Sequence, residues 1–211
     1  VLELVRLALP VIVARAGLIV MALVDTLFVA RYGSEDLAHL TIGTTLFHPL
    51  LGAGIGLVMG TLVLSAVAIG RERPEGAGAV WQRGALYGAA LGLLFVVLLL
   101  PSEALLLWAG QPSDLAAAGG RISLIFAWGM PAALIYTATA FFLEGVKRPL
   151  PGMVVMILAN IVNALANWWL VFGGFGLPAM GAEGSAWAST ISRIFMALAM
   201  VAYVLFAMPG R

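Results

Sequence analysis

Six long apolar segments, separated by short connectors rich in charge, glycine and proline, constrain the fold of this chain more than any other feature. Each segment exceeds the roughly 20 residues that a helix needs to cross the hydrocarbon core of a bilayer. Apolar residues run continuously within the segments instead of alternating, which disfavours the strands of a membrane barrel. The sequence therefore predicts an all-α polytopic membrane protein with transmembrane spans at residues 6–31, 37–70, 80–107, 121–144, 149–173 and 184–207.

Composition supports this class and excludes several others. Of the 211 residues, 63% are hydrophobic and 10% are charged, whereas about 25% are charged in a typical soluble domain. The mean hydropathy of +1.07 indicates a single transmembrane domain over residues 1–211, embedded in a lipid bilayer. A net charge of +1 gives no reason to expect a nucleic-acid partner.

The residue types that most often carry catalysis or bind metals are scarce. The chain has no cysteine, which excludes disulfides and thiolate metal sites. Its two histidines, His39 and His48, cannot hold a metal without other ligands, so we expect neither a metal nor an organic cofactor. No HExxH helix, GxSxG turn or suitable carboxylate pair is present, so we do not expect an enzyme.

The distribution of lysine and arginine predicts the orientation in the membrane. If the N-terminus is cytoplasmic, seven basic residues of the connectors and ends lie inside and two lie outside, in agreement with the positive-inside rule. The inside residues are Arg6, Arg71, Arg73, Arg83, Lys147, Arg148 and Arg211, and the outside residues are Arg31 and Arg121. Both termini of this segment are therefore predicted to be cytoplasmic.

Asp25 is the main candidate for a functional residue because it lies inside the first apolar span. An ionisable group in a membrane helix costs about 2.5–3.5 kcal/mol on insertion scales, so it usually faces a protein cavity and marks an ion or proton pathway. Asp25 precedes Arg31 by a helical distance of about 9 Å. We therefore expect Asp25 to lie on an ion or proton pathway.

Polar residues of the fifth and sixth spans fall at a comparable depth. Asn160, Asn163 and Asn167 share one helix face because of their i, i+3, i+7 spacing, and Thr190 and Arg193 lie in the sixth span. Unsatisfied polar groups in hydrocarbon cost several kcal/mol each. These residues are predicted to line a polar cavity with Asp25, although the asparagines could instead join helices without a role in transport.

Three polar side chains within the spans, those of Arg193, Arg15 and His48, have two interpretations each. Arg193 either neutralises Asp25 or contacts another helix. Arg15 lies about 15 Å along the helix from Asp25, and it either serves the inner half of a pathway or, as we prefer, reaches the cytoplasmic headgroups. His48 could relay protons, but a single histidine of this kind more often only forms a hydrogen bond with a neighbouring residue. Glu144 is expected to form a local ion pair with Lys147 or Arg148.

Three stretches together resemble the N-terminal half of a transporter of the multidrug and toxin extrusion (MATE) family. The first span contains a proline near its start and the motif Val24-Asp25-Thr26, and residues 141–151 read FFLEGVKRPLP. Residues 160–193 read NIVNALANWWLVFGGFGLPAMGAEGSAWASTISR. The asparagine pair followed by FGLPAMG is similar to the NorM-type bacterial branch, and the resemblance covers essentially the whole chain in order.

The resemblance implies a fold of two six-helix lobes, of which this chain supplies the first. It implies efflux of small organic, often cationic, substrates from the bacterial inner membrane by antiport with H⁺ or Na⁺. Asp25 would be the carboxylate that couples transport to the cation, with Thr26 in its motif and Asn163, Asn167 and Thr190 around it. Branches with a sodium site in this lobe have an aspartate at the position of Asn167, so the resemblance favours either proton coupling at Asp25 or sodium coupling through the second lobe.

A complete member has about twelve helices, so we expect this chain to be a fragment or a half-size protein that pairs with a second lobe or a second copy of itself. Two alternative functions are a lipid-linked oligosaccharide flippase of the same superfamily and a non-transporting half-gene or membrane interaction module. A flippase is expected to need several cavity cations for pyrophosphate, and only Arg15 and Arg193 qualify.

Overall fold

The computed structural model describes residues 2–71, 75–174 and 176–208, and this part of the chain forms nine helices and no strand. The helices are α1 (Leu2–Tyr32), α2 (Ser34–Val58), α3 (Gly60–Gly70), α4 (Glu75–Leu99), α5 (Ser102–Trp108), α6 (Ser113–Trp128), α7 (Met130–Gly145), α8 (Leu150–Phe172) and α9 (Gly181–Ala207). Arg73 and Arg211, on which the predicted orientation partly depends, lie outside the described residues.

The nine helices correspond to the predicted membrane spans once two interruptions are considered. α2 and α3 form one apolar span that is interrupted at Met59, and α6 and α7 are bent by 41° on either side of Gly129. Within the described residues, five helices are long and apolar enough to cross a membrane, or six if the bent pair is one span. The predicted all-α polytopic class is confirmed.

Two helix bounds differ most from the predicted spans. The third predicted span runs to residue 107, but α4 ends at Leu99 and a separate short helix, α5, follows Pro101. Proline disfavours helical backbone in the residue before it and lacks an N–H group, which explains the break. The fourth predicted span begins at residue 121, whereas α6 begins at Ser113, because Arg121 is a helical residue and not a boundary.

Close contacts between helices are made by small residues. Gly184 of α9 lies against the backbone of α8, where a Cβ atom would stand 2.5 Å from the carbonyl oxygen of Leu170. Gly92 of α4 is equally close to α7, with Pro131 Cα 2.4 Å from the position of a Cβ atom. Since lipid provides no hydrophobic drive for helix association, such close approach is a main source of packing energy.

The N-terminal end of α9 is fixed by a residue of α2. The backbone N–H of Ala182 donates a hydrogen bond of 2.8 Å to Asp36 Oδ1, so a carboxylate 146 residues away caps the first turn. Gly181 has φ +53°, and a Cβ atom there would overlap Asp36. The cap brings the start of α9 beside α1 and α2, which positions the polar residues of α9 opposite Asp25.

Candidate functional site

Asp25 is a buried carboxylate, 6% exposed, that three side chains of α8 and α9 surround with hydrogen-bond donors. Asn163 Nδ2 and Asn167 Nδ2 donate to its Oδ1 atom over 2.9 and 2.7 Å. Ser189 Oγ donates to Oδ2. A carboxylate with three donors is stabilised because hydrogen bonds to charged groups are worth about 1.5–3 kcal/mol each.

The asparagines reach one carboxylate because they are separated by four residues on α8. Asn163 Nδ2 also lies 3.2 Å from Ser189 Oγ, and Asn167 Nδ2 also donates to the carbonyl of Asn163. Their Oδ1 atoms are buried without a hydrogen-bond partner. The site thus contains one carboxylate, one hydroxyl and two amide oxygens that are free to accept.

Asn160 lies on the same face of α8 but the structure places it apart from Asp25. Its Nδ2 atom donates to the carbonyls of Gly17 and Met156 over 3.1 and 3.0 Å. The contact with Gly17 joins α8 to α1 about two turns N-terminal to Asp25, and a Cβ atom at Gly17 would overlap Met156. The position of Asn160 therefore corresponds to the helix-joining interpretation of the asparagine face.

Asp25 forms part of the wall of a partly open cavity of about 480 Å³, whose lining includes the exposed residues Ile19 and Thr26. The cavity lies between α1, α2, α6, α7 and α9, and its size is within the range of sites for drug-sized ligands. Asn160, Asn163, Asn167 and Thr190, which the sequence analysis predicted to line a polar cavity, are not among its lining residues. Its polar and aromatic lining residues are Asp25, Thr26, Thr41, Thr44, His48, Phe126, Tyr136, Thr137 and Arg193.

Thr190 stabilises the break between α6 and α7. The N–H of Gly129 donates to the carbonyl of Phe126, so the carbonyl of Ile125 lacks its usual helical donor. Thr190 Oγ1 donates to the carbonyl of Ile125 over 2.9 Å. The structure thus places Thr190 at the bend, one helical position from Ser189. A hydroxyl at this point satisfies a carbonyl that would otherwise be unpaired in the bilayer interior.

Arg193 and His48 both line the cavity, on α9 and α2. The guanidinium carbon of Arg193 lies 4.6 Å from the ring centroid of Phe47 and 5.1 Å from that of Phe126. No ion pair joins Arg193 to Asp25 within the described chain. The ring of His48 packs edge-on against Phe47, with centroids 5.5 Å apart.

Arg15 and Glu144 bind each other. Arg15 Nη2 lies 3.0 Å from Glu144 Oε1, and the guanidinium also lies over the ring of Phe141. The described contacts pair Glu144 with Arg15 instead of with Lys147 or Arg148, while the extension of Arg15 to the cytoplasmic headgroups stays a prediction. Removal of either partner would leave the other as an uncompensated, partly buried charge.

Two elements of the site escaped the sequence analysis. Ser189 completes the shell of Asp25, and its signal was the row Ser185, Ser189, Ser192, which places small polar side chains on one face of α9. Tyr136 and Thr137 of α7 line the cavity but follow no polar periodicity. Thr26 is exposed, and its hydroxyl donates to the carbonyl of Ala22 in its own helix.

Comparison with known proteins places this arrangement in a family. The sequence profile described as MatE matches residues 10–169, which is most of the chain. The chain belongs to the MATE family. MATE proteins are transporters, which supports a function other than catalysis.

Relatives of this MATE chain include proteins named as probable multidrug resistance protein NorM. That of Caulobacter vibrioides is 38% identical over 97% of this chain and 44% of its own length. That of Shewanella oneidensis is 33% identical over 97% of this chain and 44% of its own length. The chain thus spans somewhat less than half the length of these relatives and corresponds to their N-terminal half.

Solved MATE structures share the fold. A eukaryotic MATE transporter, AtDTX14, superposes with a TM-score of 0.88 at 19% identity, over 98% of this chain and 45% of its own. A transporter of the MOP superfamily from Pyrococcus furiosus superposes with a TM-score of 0.85 at 23% identity, over 97% and 44%. The MATE chain is therefore a multi-pass membrane protein whose helices form one lobe of this architecture.

Proposed function

We propose that this chain forms the N-terminal lobe of a secondary active transporter that exports organic, often cationic, drugs in exchange for protons. The observation that carries the proposal is the buried carboxylate of Asp25, which joins α1 to α8 and α9 and also faces a drug-sized cavity. An ionisable group that both links helices and faces a cavity is suited to couple ion binding to helix movement.

Protonation of Asp25 would change its hydrogen bonding. The ionised carboxylate accepts from three donors, whereas a neutral carboxyl group carries a donor of its own. At least one of Asn163, Asn167 and Ser189 would then rearrange, for instance by turning an unpartnered amide oxygen toward the new O–H group. Because these three contacts join α1 to α8 and α9, their rearrangement favours a different packing of the helices.

The adjacent cavity supports direct competition between substrate and ion. Asp25 forms part of its wall, so a cationic drug in the cavity is attracted by the ionised carboxylate and loses this attraction on protonation. Protons that enter from outside would thereby release drug to the outside. The order of events is that of an antiporter.

Sodium is the alternative coupling ion. Asn163 Oδ1 and Asn167 Oδ1 are buried, unpartnered oxygens beside Asp25, and Na⁺, as a hard cation, is expected to prefer oxygen ligands. Against sodium, all three neighbours direct hydrogen-bond donors at the carboxylate, and only one carboxylate is present. A proton needs a single oxygen, so this arrangement favours H⁺.

A flippase for lipid-linked oligosaccharides is less well supported. Such a function is expected to need several cavity cations for a pyrophosphate, and Arg15 is already neutralised by Glu144. Of the two arginines that the sequence analysis considered for binding a pyrophosphate, this leaves Arg193.

The proposal extends to location and assembly. We infer a bacterial inner-membrane protein with both termini of this segment in the cytoplasm, from its NorM relatives and its distribution of basic residues. Since the chain spans 44% of the length of these relatives, a second lobe or a second copy is the expected partner. The substrate pathway would then involve both halves.

Replacement of Asp25 by asparagine tests the function. The complete gene is expressed in a bacterial strain that lacks its own drug exporters, and accumulation of the fluorescent cation ethidium is measured. Asp25→Asn should abolish export at normal expression, and Asp114→Asn, the same change at an exposed carboxylate of α6, should leave export intact. Undiminished export by the Asp25 variant would remove this residue from the mechanism.

A further inference from the structure

A charged group of the cavity that the proposed coupling mechanism does not use is Arg193. It lines the same cavity as Asp25, from α9. Its guanidinium lies against the rings of Phe47 and Phe126, at 4.6 and 5.1 Å. These cation–π contacts hold the side chain in place, and Asp25 attracts the guanidinium across the cavity without forming an ion pair with it.

The hydrogen-bonding capacity of Arg193 is not filled. Its Nη1 atom is buried and has no hydrogen-bond partner. Neither of the ion pairs of the described chain includes Arg193, and the donors around Asp25 come from Asn163, Asn167 and Ser189. A buried, unpaired guanidinium N–H is expensive, so a site that retains one is suited to an external acceptor.

We propose that Arg193 is a specificity-determining residue that binds the carboxylate of an organic substrate. The cavity then has two poles, a guanidinium from α9 and a carboxylate from α1 that attracts an amine. Its favoured ligands are aromatic zwitterions with both groups rather than simple cations. The planar guanidinium fork is the side chain best matched to a carboxylate.

The rest of the lining agrees with a ligand of this kind. The cavity of about 480 Å³ is mostly apolar, with Met21, Leu51 and Met196 among its walls. Thr137 and Tyr136 add polar groups on the α7 side. An apolar body with two oppositely charged ends therefore finds a complement for each part.

Binding of a matched pair of ligands tests this inference. Nα-dansyl-lysine has a carboxylate and an amine on an aromatic fluorophore, and its methyl ester lacks only the carboxylate. Dansyl fluorescence is titrated with the complete protein in detergent. The wild type should bind the acid about 10- to 100-fold more tightly than the ester, as expected for a hydrogen-bonded charge pair.

Arg193→Gln should lose this preference while it retains the affinity for the ester, which shows that the cavity is intact. Arg121→Gln, which removes an exposed arginine paired with Glu183, should behave as the wild type. A wild type that binds the ester as tightly as the acid, or that binds no acid, overturns the inference. So does an Arg193→Gln variant that retains the preference.

The inference rests on the proposed function for its premise that the cavity holds drug-like molecules, but the two fail separately. Export that persists in Asp25→Asn refutes the coupling role and leaves the ligand preference of Arg193 standing. Loss of export in Asp25→Asn together with equal binding of acid and ester refutes only the carboxylate site.

Discussion

Loss of the Arg15–Glu144 ion pair should measurably destabilise the contact between α1 and α7. The charged atoms are 3.0 Å apart, and the side chains are 35% and 13% exposed. At an effective dielectric constant of about 20 their attraction is about 5 kcal/mol. Desolvation offsets most of it, so we expect a net coupling of about 1–2 kcal/mol, within the range of contacting residues.

A double-mutant cycle measures this coupling. Thermal unfolding in detergent is recorded for Arg15→Gln, Glu144→Gln and the double variant. The double variant should lose less stability than the sum of the single losses by about 1–2 kcal/mol, which corresponds to roughly 2–8 °C in a protein of this size.

The matched control is the pair Arg121–Glu183, which is as short, at 2.8 Å, but is 61% and 37% exposed. Surface pairs contribute about 0–1 kcal/mol, so its cycle should show coupling near the low end. If the stability losses of Arg15→Gln and Glu144→Gln add up in the double variant, the predicted coupling between them does not exist. If the coupling energies of the two ion pairs are equal, burial does not determine the strength of the pair.

Two further predictions concern helix packing and capping. Gly184→Ala should lower the free energy of unfolding by about 1–3 kcal/mol, because its Cβ atom would overlap the carbonyl oxygen of Leu170. The control Gly56→Ala, whose Cβ atom meets nothing within 4 Å, should leave the stability unchanged, and equal melting temperatures of the two variants would contradict this prediction. Asp36→Ala should lower the free energy of unfolding by about 1 kcal/mol, because it removes the cap of α9. In the same thermal assay Glu35→Ala, a change at an exposed neighbour, should leave the stability unchanged. An equally large loss of stability in both variants would refute the capping role of Asp36.

The helical periodicity of the sequence was sufficient to bring Asp25 to Asn163 and Asn167. An intramembrane carboxylate needs donors, and two asparagines four residues apart at equal depth supply them. The predicted class follows from segment length alone. Neither step requires knowledge of which helices are neighbours.

The remaining contacts depend on helix adjacency and rotation, which periodicity does not determine. Asn160 shares the face of Asn163 but meets Gly17, because α8 runs along α1 and each residue contacts a different level of it. Arg15 and Glu144 are 129 residues apart in the sequence, and only tertiary packing brings them together. The bend at Gly129 likewise depends on Thr190 of another helix.

Ion flux measured during drug transport tests the central claim most directly. The complete protein is reconstituted into sodium-free liposomes that contain a pH-sensitive dye, and ethidium is added on one side. The account predicts proton movement opposite to drug movement in the wild type and none in Asp25→Asn. Drug transport without proton movement, or an Asp25→Asn variant that still exchanges protons for drug, would contradict it.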